Sequence, residues 1–146
     1  MIDEIDHQIV TLLRSDGRMP YSQLGQAVGL SDAAARQRVN RLIEQDVIDI
    51  VAVADPRKIG LGHQAMVALT VDADVRAVAD ALGERDEVVY VVMTAGRFDL
   101  LAEVITTDVA AYLDVVAGVR TLPGVRDVEQ LGYLGITKQT YDWGLG

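Results

Sequence analysis

Residues 21–43 have the sequence YSQLGQAVGLSDAAARQRVNRLI, and this stretch decides the fold of the first part of the chain. Residues 21–28 predict a short helix, because their apolar side chains recur at helical spacing and Gly29 follows where a left-handed cap is expected. Ser31 can cap a second, longer helix whose apolar residues again form one stripe. That stripe consists of Ala35, Val39, Leu42 and Ile43. A short helix, a tight turn and a longer helix are typical of a helix-turn-helix.

The other face of the longer helix is polar and basic, with three arginines against one aspartate between Ser31 and Leu42. Arginine can bind guanine or phosphate, glutamine and asparagine can pair with adenine, and alanines let a helix approach a groove closely. We therefore predict contacts to double-stranded DNA from Ser22, Ser31, Ala33, Ala34, Arg36, Gln37, Arg38, Asn40 and Arg41. The alternative is that the arginines form only a solvated helix face, and the helical pattern before them favours DNA binding.

Further signals flank this motif on both sides. Asp3 can cap a preceding helix that ends at residues 16–18. The buried stripe of that helix is predicted to be Ile5, Ile9, Leu12 and Leu13. On the other side, residues 47–53 are rich in β-branched side chains and are bounded by Asp55 and Pro56. We predict that residues 47–53 form a strand, the wing of a winged helix-turn-helix, followed by a linker.

The second half of the chain alternates between strand and helix signals. The predicted strands are residues 64–71, 88–93, 100–106 and 128–136. The predicted helices are residues 72–82, with Val75, Val78, Ala79 and Leu82 buried, and a helix capped by Asp108, with Val109, Tyr112, Leu113 and Val116 buried. The order β-α-β-β-α-β is typical of a ferredoxin-like α+β fold, in which both helices cover one face of an antiparallel sheet. Because the other face would lack a cover, we expect a homodimer.

Composition and charge exclude several classes of protein. The chain has no cysteine, which excludes disulfides and thiolate chemistry, and no cofactor or metal site is expected. No apolar run is long enough to span a membrane, and the start of the chain is acidic, so we expect a cytoplasmic protein without a membrane partner. The net charge of -9 is uneven: residues 1–58 hold seven Lys/Arg against nine Asp/Glu, and residues 59–146 hold six against thirteen. A local basic patch can therefore bind DNA while the rest repels it.

An ordered set of short motifs resembles the leucine- and asparagine-responsive (Lrp/AsnC) family of transcription regulators. The motifs are Ile2-Asp3-x-x-Asp6, Ile9-x-x-Leu12-Leu13, Asp16-Gly17-Arg18, Leu30-Ser31, Arg38-Val39-x-Arg41-Leu42, Val47-Ile48, Gly96-x-x-Asp99 and Leu122-Pro123-Gly124-Val125. The resemblance implies a winged helix-turn-helix in residues 1–60 and a ferredoxin-like effector domain in residues 61–146. It also implies control of amino-acid metabolism, a small-molecule effector, and dimers that assemble into octamers. The chain departs from the family pattern at Asp46, where glycine is usual, and at Arg97, where an acidic or small polar residue is common.

The resemblance implies an effector site near the glycine-containing loop, at contacts between dimers. The predicted residues are Thr94, Ala95, Gly96, Arg97, Phe98 and Asp99, with Leu131, Gly132 and Tyr133 nearby. Glycine would let backbone N–H groups approach a carboxylate, and Asp99 could hold an ammonium group, as an amino acid requires. The alternative is a tight turn that needs its glycine for backbone geometry and uses Asp99 to cap neighbouring amides.

Two other functions remain open from the sequence. Siroheme decarboxylases share this two-domain plan, but a tetrapyrrole enzyme would need placed acids and bases, and the two histidines, His7 and His63, have no such setting. A ligand-sensing module without DNA binding is the other alternative, against which the three helix arginines argue. The sequence assigns no role to Tyr141 and Trp143 in the tail. We predict a regulator and not an enzyme.

Overall fold

In the computed structural model, which describes residues 2–139, the chain divides into two units, one built on the residues up to Val53 and the other on Ala54–Thr137. The predicted domain bounds of 1–60 and 61–146 refer to segments that fold independently. A division by contacts does not test independent folding, so these bounds stay a prediction. Tyr141 and Trp143 lie outside the described residues.

In its described residues the first unit has three helices: α1 (Glu4–Ser15), α2 (Tyr21–Val28) and α3 (Asp32–Glu44). Asp3 caps α1, because its carboxylate accepts from the Asp6 N–H at 2.9 Å while the Asp6 carboxylate accepts from the Asp3 N–H at 3.0 Å. Ser31 caps α3 by accepting from the Ala34 N–H at 3.2 Å. The buried core of the unit is Ile9, Leu13, Leu24, Ala35, Val39 and Leu42. The predicted helix-turn-helix is confirmed.

A close approach of backbones sets the turn between α2 and α3. Gly29 ends α2 with φ 73°, in the left-handed region that favours glycine. The Leu30 N–H then bonds the Gly25 carbonyl at 2.8 Å, and a Cβ on Gly25 would lie only 2.7 Å from the Leu30 carbonyl oxygen. Glycine at position 25 therefore lets α3 begin directly against α2.

The predicted wing strand over residues 47–53 is wrong for this chain, because the structure forms no strand there. Asp46 turns the backbone at the end of α3 with φ 53°, a conformation that Asp enters more readily than most residues. The β-branched side chains that follow stay largely exposed, Val51 by 73%. A strand exists only when a neighbour pairs its N–H and C=O groups, and no other strand pairs with this segment within residues 2–139.

The second unit is an antiparallel sheet in the order β2-β3-β1-β4, with two helices on one face. Its elements are β1 (His63–Val71), α4 (Val75–Gly83), β2 (Val88–Met93), β3 (Leu100–Thr106), α5 (Val109–Arg120) and β4 (Val125–Gly132). Alternate residues of the strands, such as Val67 and Ala102, pack against Leu82 and Val116 of the helices. The predicted ferredoxin-like α+β fold is confirmed.

Two details of this unit differ from the sequence prediction. The last strand was expected at 128–136, but β4 begins directly after the turn at Gly124 and ends at Gly132, which pairs with Ala65. The predicted burial of Val109 and Leu113 is also wrong, since both are exposed. The helix α5 buries Tyr112, Val115, Val116 and Val119 instead. It is apolar on nearly every side, so periodicity alone could not identify its inner face.

The second face of the sheet is open. The strand registers place one cross-strand row on it, formed by Leu131, Met66, Glu103 and Tyr90. Leu131 is 42% exposed, and no helix of the described chain covers this side. An open apolar sheet face is where a second protein layer is expected.

Candidate DNA interface and effector loop

The outward face of α3 carries most of the predicted DNA contacts. Exposed residues follow one another at helical spacing along it: Ala33, Arg36, Gln37 and Asn40. Ser31 is exposed at the cap, Ala34 is half-buried, and Ser22 is exposed on the first turn of α2. Residues of this helix line an open depression of about 790 Å³. The face is therefore free to receive another molecule.

Arg36 lies on the side of α3 that is turned toward α2. Its guanidinium carbon is 5.2 Å from the ring centroid of Tyr21, over the ring face, which is cation–π geometry. Within residues 2–139, no carboxylate forms an ion pair with Arg36. The sequence prediction named Arg36 but missed Tyr21, and the aromatic side chain at the start of α2 was the available signal.

Arg38 and Arg41 lie on the other side of α3, against α1. The Arg38 Nη1 donates to both Asp3 carboxylate oxygens at 2.8 and 2.7 Å and to Asp6 Oδ1 at 2.9 Å. The Arg41 Nη2 donates to Asp6 Oδ2 at 2.6 Å. Sequence reasoning predicted both arginines as DNA contacts and did not find this cluster. The i, i+3 spacing shared by the two acids and the two arginines was the signal.

The electrostatics of the cluster favour the charged forms of Asp3, Asp6 and Arg38. The hydrogen bond from Arg38 lowers the pKa of Asp3 to about 2, helped by the Asp6 N–H. Burial by itself raises the pKa of Asp6, but the Asp3 N–H, Arg38 and Arg41 outweigh it and hold that pKa below its ordinary value. The hydrogen bonds to Asp3 and Asp6 raise the pKa of Arg38. The cluster thus joins α1 to α3 by charged hydrogen bonds.

The loop between β2 and β3 is a tight turn. The Thr94 N–H bonds the Asp99 carbonyl at 2.9 Å, and the Thr94 hydroxyl donates to the Phe98 carbonyl at 2.7 Å. Gly96 has φ 142°, which only glycine adopts readily. Four of its residues, Thr94, Ala95, Gly96 and Arg97, are exposed.

The charged side chains of this loop have partners in the same chain. Asp99 Oδ2 accepts from the Val71 N–H at 2.7 Å, so this carboxylate caps a backbone amide at the end of β1. Arg97, whose side chain is 77% exposed, donates to Glu129 Oε2 at 2.9 Å and lies over the Phe98 ring at 5.0 Å. The bond from the Val71 N–H to Asp99 is the contact expected if residues 94–99 form only a tight turn in which Asp99 caps neighbouring amides.

Leu131, Gly132 and Tyr133 lie toward the other end of the sheet. The Asp99 N–H bonds Leu69, whereas the Tyr133 N–H bonds Gln64, which lies about 17 Å away along β1 at the usual rise of a strand. Tyr133 donates its hydroxyl to Glu103 Oε1 at 2.9 Å, and burial together with this bond raises the pKa of Tyr133 to about 12. One chain alone therefore does not bring Tyr133 to Asp99, although Arg97 reaches Glu129, two residues before Leu131 on β4.

Comparison with protein families covers both units. The model of the AsnC-type helix-turn-helix domain matches residues 2–43, and the model of the Lrp/AsnC ligand binding domain matches residues 64–143. The chain belongs to the Lrp/AsnC family. The Lrp/AsnC resemblance predicted from the sequence is thereby confirmed.

Similar Lrp/AsnC proteins match nearly the full length of the chain. A proline dehydrogenase transcriptional activator from Rhizobium radiobacter is 31% identical over 145 residues, covering 95% of this chain and 93% of that protein. The leucine response regulatory protein of Mycobacterium tuberculosis superposes with a TM-score of 0.85 at 28% identity, covering 94% of this chain and 96% of that one. A Neisseria meningitidis transcriptional regulator solved with L-methionine gives 0.81 at 25% identity, covering 97% and 95%. The chain is a transcriptional regulator of the Lrp/AsnC type, with DNA-binding and ligand-binding domains.

The two histidines that were weighed as acid–base residues of a decarboxylase do not lie in a catalytic arrangement. His7 is exposed on α1, and His63 begins β1 with its ring centroid 4.6 Å from that of Tyr112. Burial raises the pKa of Tyr112. In the part of the chain that the structure describes, no group of three His, Cys, Asp or Glu could hold a metal, and no helix is long and apolar enough to cross a membrane. The family is one of transcriptional regulators, and the matches do not favour a decarboxylase.

Proposed function

We propose that this regulator acts in the cytoplasm as a homodimer that inserts α3 of each subunit into the major groove of its operator and controls amino-acid or related metabolism. The exposed stripe on α3 supports this proposal most directly, because it joins an arginine with free donors to two amide side chains at helical spacing. Half-sites should lie about one helical turn, or a multiple of it, apart.

The chemistry of the stripe suggests a division of contacts. Arg36 suits guanine, Gln37 and Asn40 suit adenine, and Ala33 allows close approach to the groove. Ser22 and Ser31 lie at helix starts, where hydroxyl and N–H groups suit phosphate. Arg41 keeps a 43% exposed side chain beside Asp6 and suits phosphate as well.

The double variant Arg36→Ala/Asn40→Ala tests this assignment. It should weaken binding to duplexes selected from a random pool at least about tenfold, because each lost base contact costs roughly 1–3 kcal/mol. The exposed Arg76 of α4 provides the matched control, and Arg76→Ala should bind like the parent. Equal affinities for the double variant and the parent over a range of salt concentrations would refute the assignment of these contacts. Failure of the parent itself to select any duplex would favour a ligand sensor without DNA binding.

We also propose that the effector is an amino acid or a related metabolite, bound where residues 94–99 of one subunit meet residues 131–133 of another. The solved L-methionine complex and the leucine response relative support an amino acid. The separation of Tyr133 from Asp99 within one chain supports a site between subunits. Arg97, which now pairs with Glu129, could receive a ligand carboxylate.

Calorimetry against the standard amino acids and common 2-oxo acids tests the effector site. Arg97→Ala and Tyr133→Phe should each weaken binding about tenfold or more, since each removes a hydrogen bond to a charged ligand group. The exposed Arg126 on β4 serves as control, and Arg126→Ala should leave the affinity unchanged. If a ligand binds and both variants keep full affinity while folded and assembled, the site lies elsewhere.

The open sheet face supports a homodimer. The exposed apolar residues Val109 and Leu113 on α5 leave further surface for assembly of dimers into octamers.

A further inference from the structure

We propose that Tyr21 is a positioning residue for DNA specificity: it holds Arg36 for one base contact, whereas Arg38 and Arg41 serve the fold and the DNA backbone. This inference rests on the proposed binding of α3 in the major groove. It divides three arginines that the sequence presents as equivalent into one that reads a base and two that do not.

The geometry of α3 separates the arginines onto two flanks of its exposed stripe. At 100° per residue, Arg36 lies on one side of the line through Ala33 and Asn40, and Arg38 and Arg41 lie on the other. Each flank meets a different helix: Arg36 lies over Tyr21 of α2, and the other two bond the acids of α1. The neighbouring helix thus decides what each arginine is free to do.

The hydrogen-bonding capacity of the arginines differs accordingly. Arg38 Nη1 already serves three carboxylate oxygens, and its side chain is only 25% exposed. Moving Arg38 to a base would leave the buried Asp6 carboxylate with one fewer donor, which is costly. Arg41 gives one donor to Asp6 and keeps the rest for a phosphate. Arg36 has its full set of N–H groups available.

Stacking on an aromatic ring leaves those N–H groups unobstructed. A guanidinium over a ring uses its flat face, while its donors lie in the plane and point outward. Bidentate binding of guanine O6 and N7 uses such in-plane donors. A ring that restricts the rotamers of Arg36 before DNA arrives also lowers the entropy lost on binding. Tyr21 therefore prepares Arg36 for a base.

The experiment selects DNA from a random duplex pool with the full chain and with Tyr21→Leu, Tyr21→Phe, Arg36→Ala and Tyr21→Leu/Arg36→Ala. Leucine keeps an apolar side chain against the core that Tyr21 contacts but removes the ring, and phenylalanine keeps the ring. Tyr21→Met replaces the leucine variant if circular dichroism shows that it is misfolded. Affinity for the parent's selected duplex, affinity for an unselected duplex and the salt dependence of each are measured.

Tyr21→Leu should lower affinity for the selected duplex about threefold per half-site, hence about tenfold for a dimer, and weaken the preference at the same base position as Arg36→Ala. Its affinity for unselected DNA and its salt dependence should match the parent, Tyr21→Phe should keep the parent's selected sequence, and the double variant should equal Arg36→Ala. The inference is overturned if Tyr21→Leu keeps the parent's sequence and affinity, or if the two losses simply add. Failure of the parent to select any sequence would instead remove the proposed function on which the inference stands.

Discussion

At the scale of single residues, the structure shows a role for Asp6 that the sequence analysis did not identify. It is fully buried, yet it carries a charge and accepts from the Asp3 N–H, Arg38 and Arg41. A buried carboxylate is tolerated only when such donors compensate the loss of water. Asp6 therefore joins α1 to the helix that we propose enters the DNA groove.

We expect Asp6→Ala to destabilise the helical unit by about 2 kcal/mol, because it removes the acceptor of Arg41 and one of the acceptors of Arg38. Hydrogen exchange of the α1 and α3 amides measures this without requiring the two units to unfold together. The exposed Glu44 of α3 supplies the control, and Glu44→Gln should exchange like the parent. Unchanged protection in Asp6→Ala would mean that the cluster contributes little to stability.

The same cluster predicts the pH dependence of this unit. Because the folded-state pKa values of Asp3 and Asp6 lie below their ordinary values, the unfolded state binds more protons in acid. The stabilisation should be complete above about pH 4 and decline as the pH falls toward 2. In Asp3→Asn/Asp6→Asn, exchange from α1 and α3 should vary less over this range, and equal slopes for parent and variant would contradict the assignment.

At the scale of secondary-structure elements, the strand predictions that failed are those that depend on the pairing of one strand with another. The bounds of α2, β2 and β3 agree with the sequence prediction, because a glycine cap or a buried apolar run marks them locally. The ends of β4 depend on the register in which it pairs with β1, and residues 47–53 pair with no strand within the described chain. Residues with a high strand propensity do not form a strand unless the edge of another strand is available for hydrogen bonding.

The open face of the sheet leads to a testable prediction about dimerisation. Leu131→Glu should convert a dimer to monomers at micromolar concentration in sedimentation experiments, because it would bury a carboxylate at the proposed interface. Leu131 is already exposed in one chain, so the fold should tolerate the change. Leu113→Glu, at a 53% exposed site on the outside of α5, is the matched control and should remain dimeric. The reverse pattern would put the dimer contact on the helical side.

At the scale of the whole molecule, charge distribution reconciles an acidic protein with a DNA partner. The net charge is -9, but most of the excess acid lies beyond residue 58. Two of the acids in the first part, Asp3 and Asp6, are held in ion pairs with arginines of α3. The remaining acidic surface repels phosphate, so we expect DNA to approach the protein at the exposed stripe of α3.

The sequence by itself determined the order and type of most elements, the family, and the exposed position of Arg36, Gln37 and Asn40. These features depend on caps, glycines and periodicity, which act over a few residues. Only the tertiary structure decided that Arg38 binds Asp3 and Asp6, that Asp99 caps the Val71 amide, and that Tyr133 bonds β1 at Gln64, far along the strand from the Leu69 carbonyl that Asp99 bonds. The physical reason is that a charged side chain takes whichever partner the fold brings within hydrogen-bond distance, and those partners are distant in sequence.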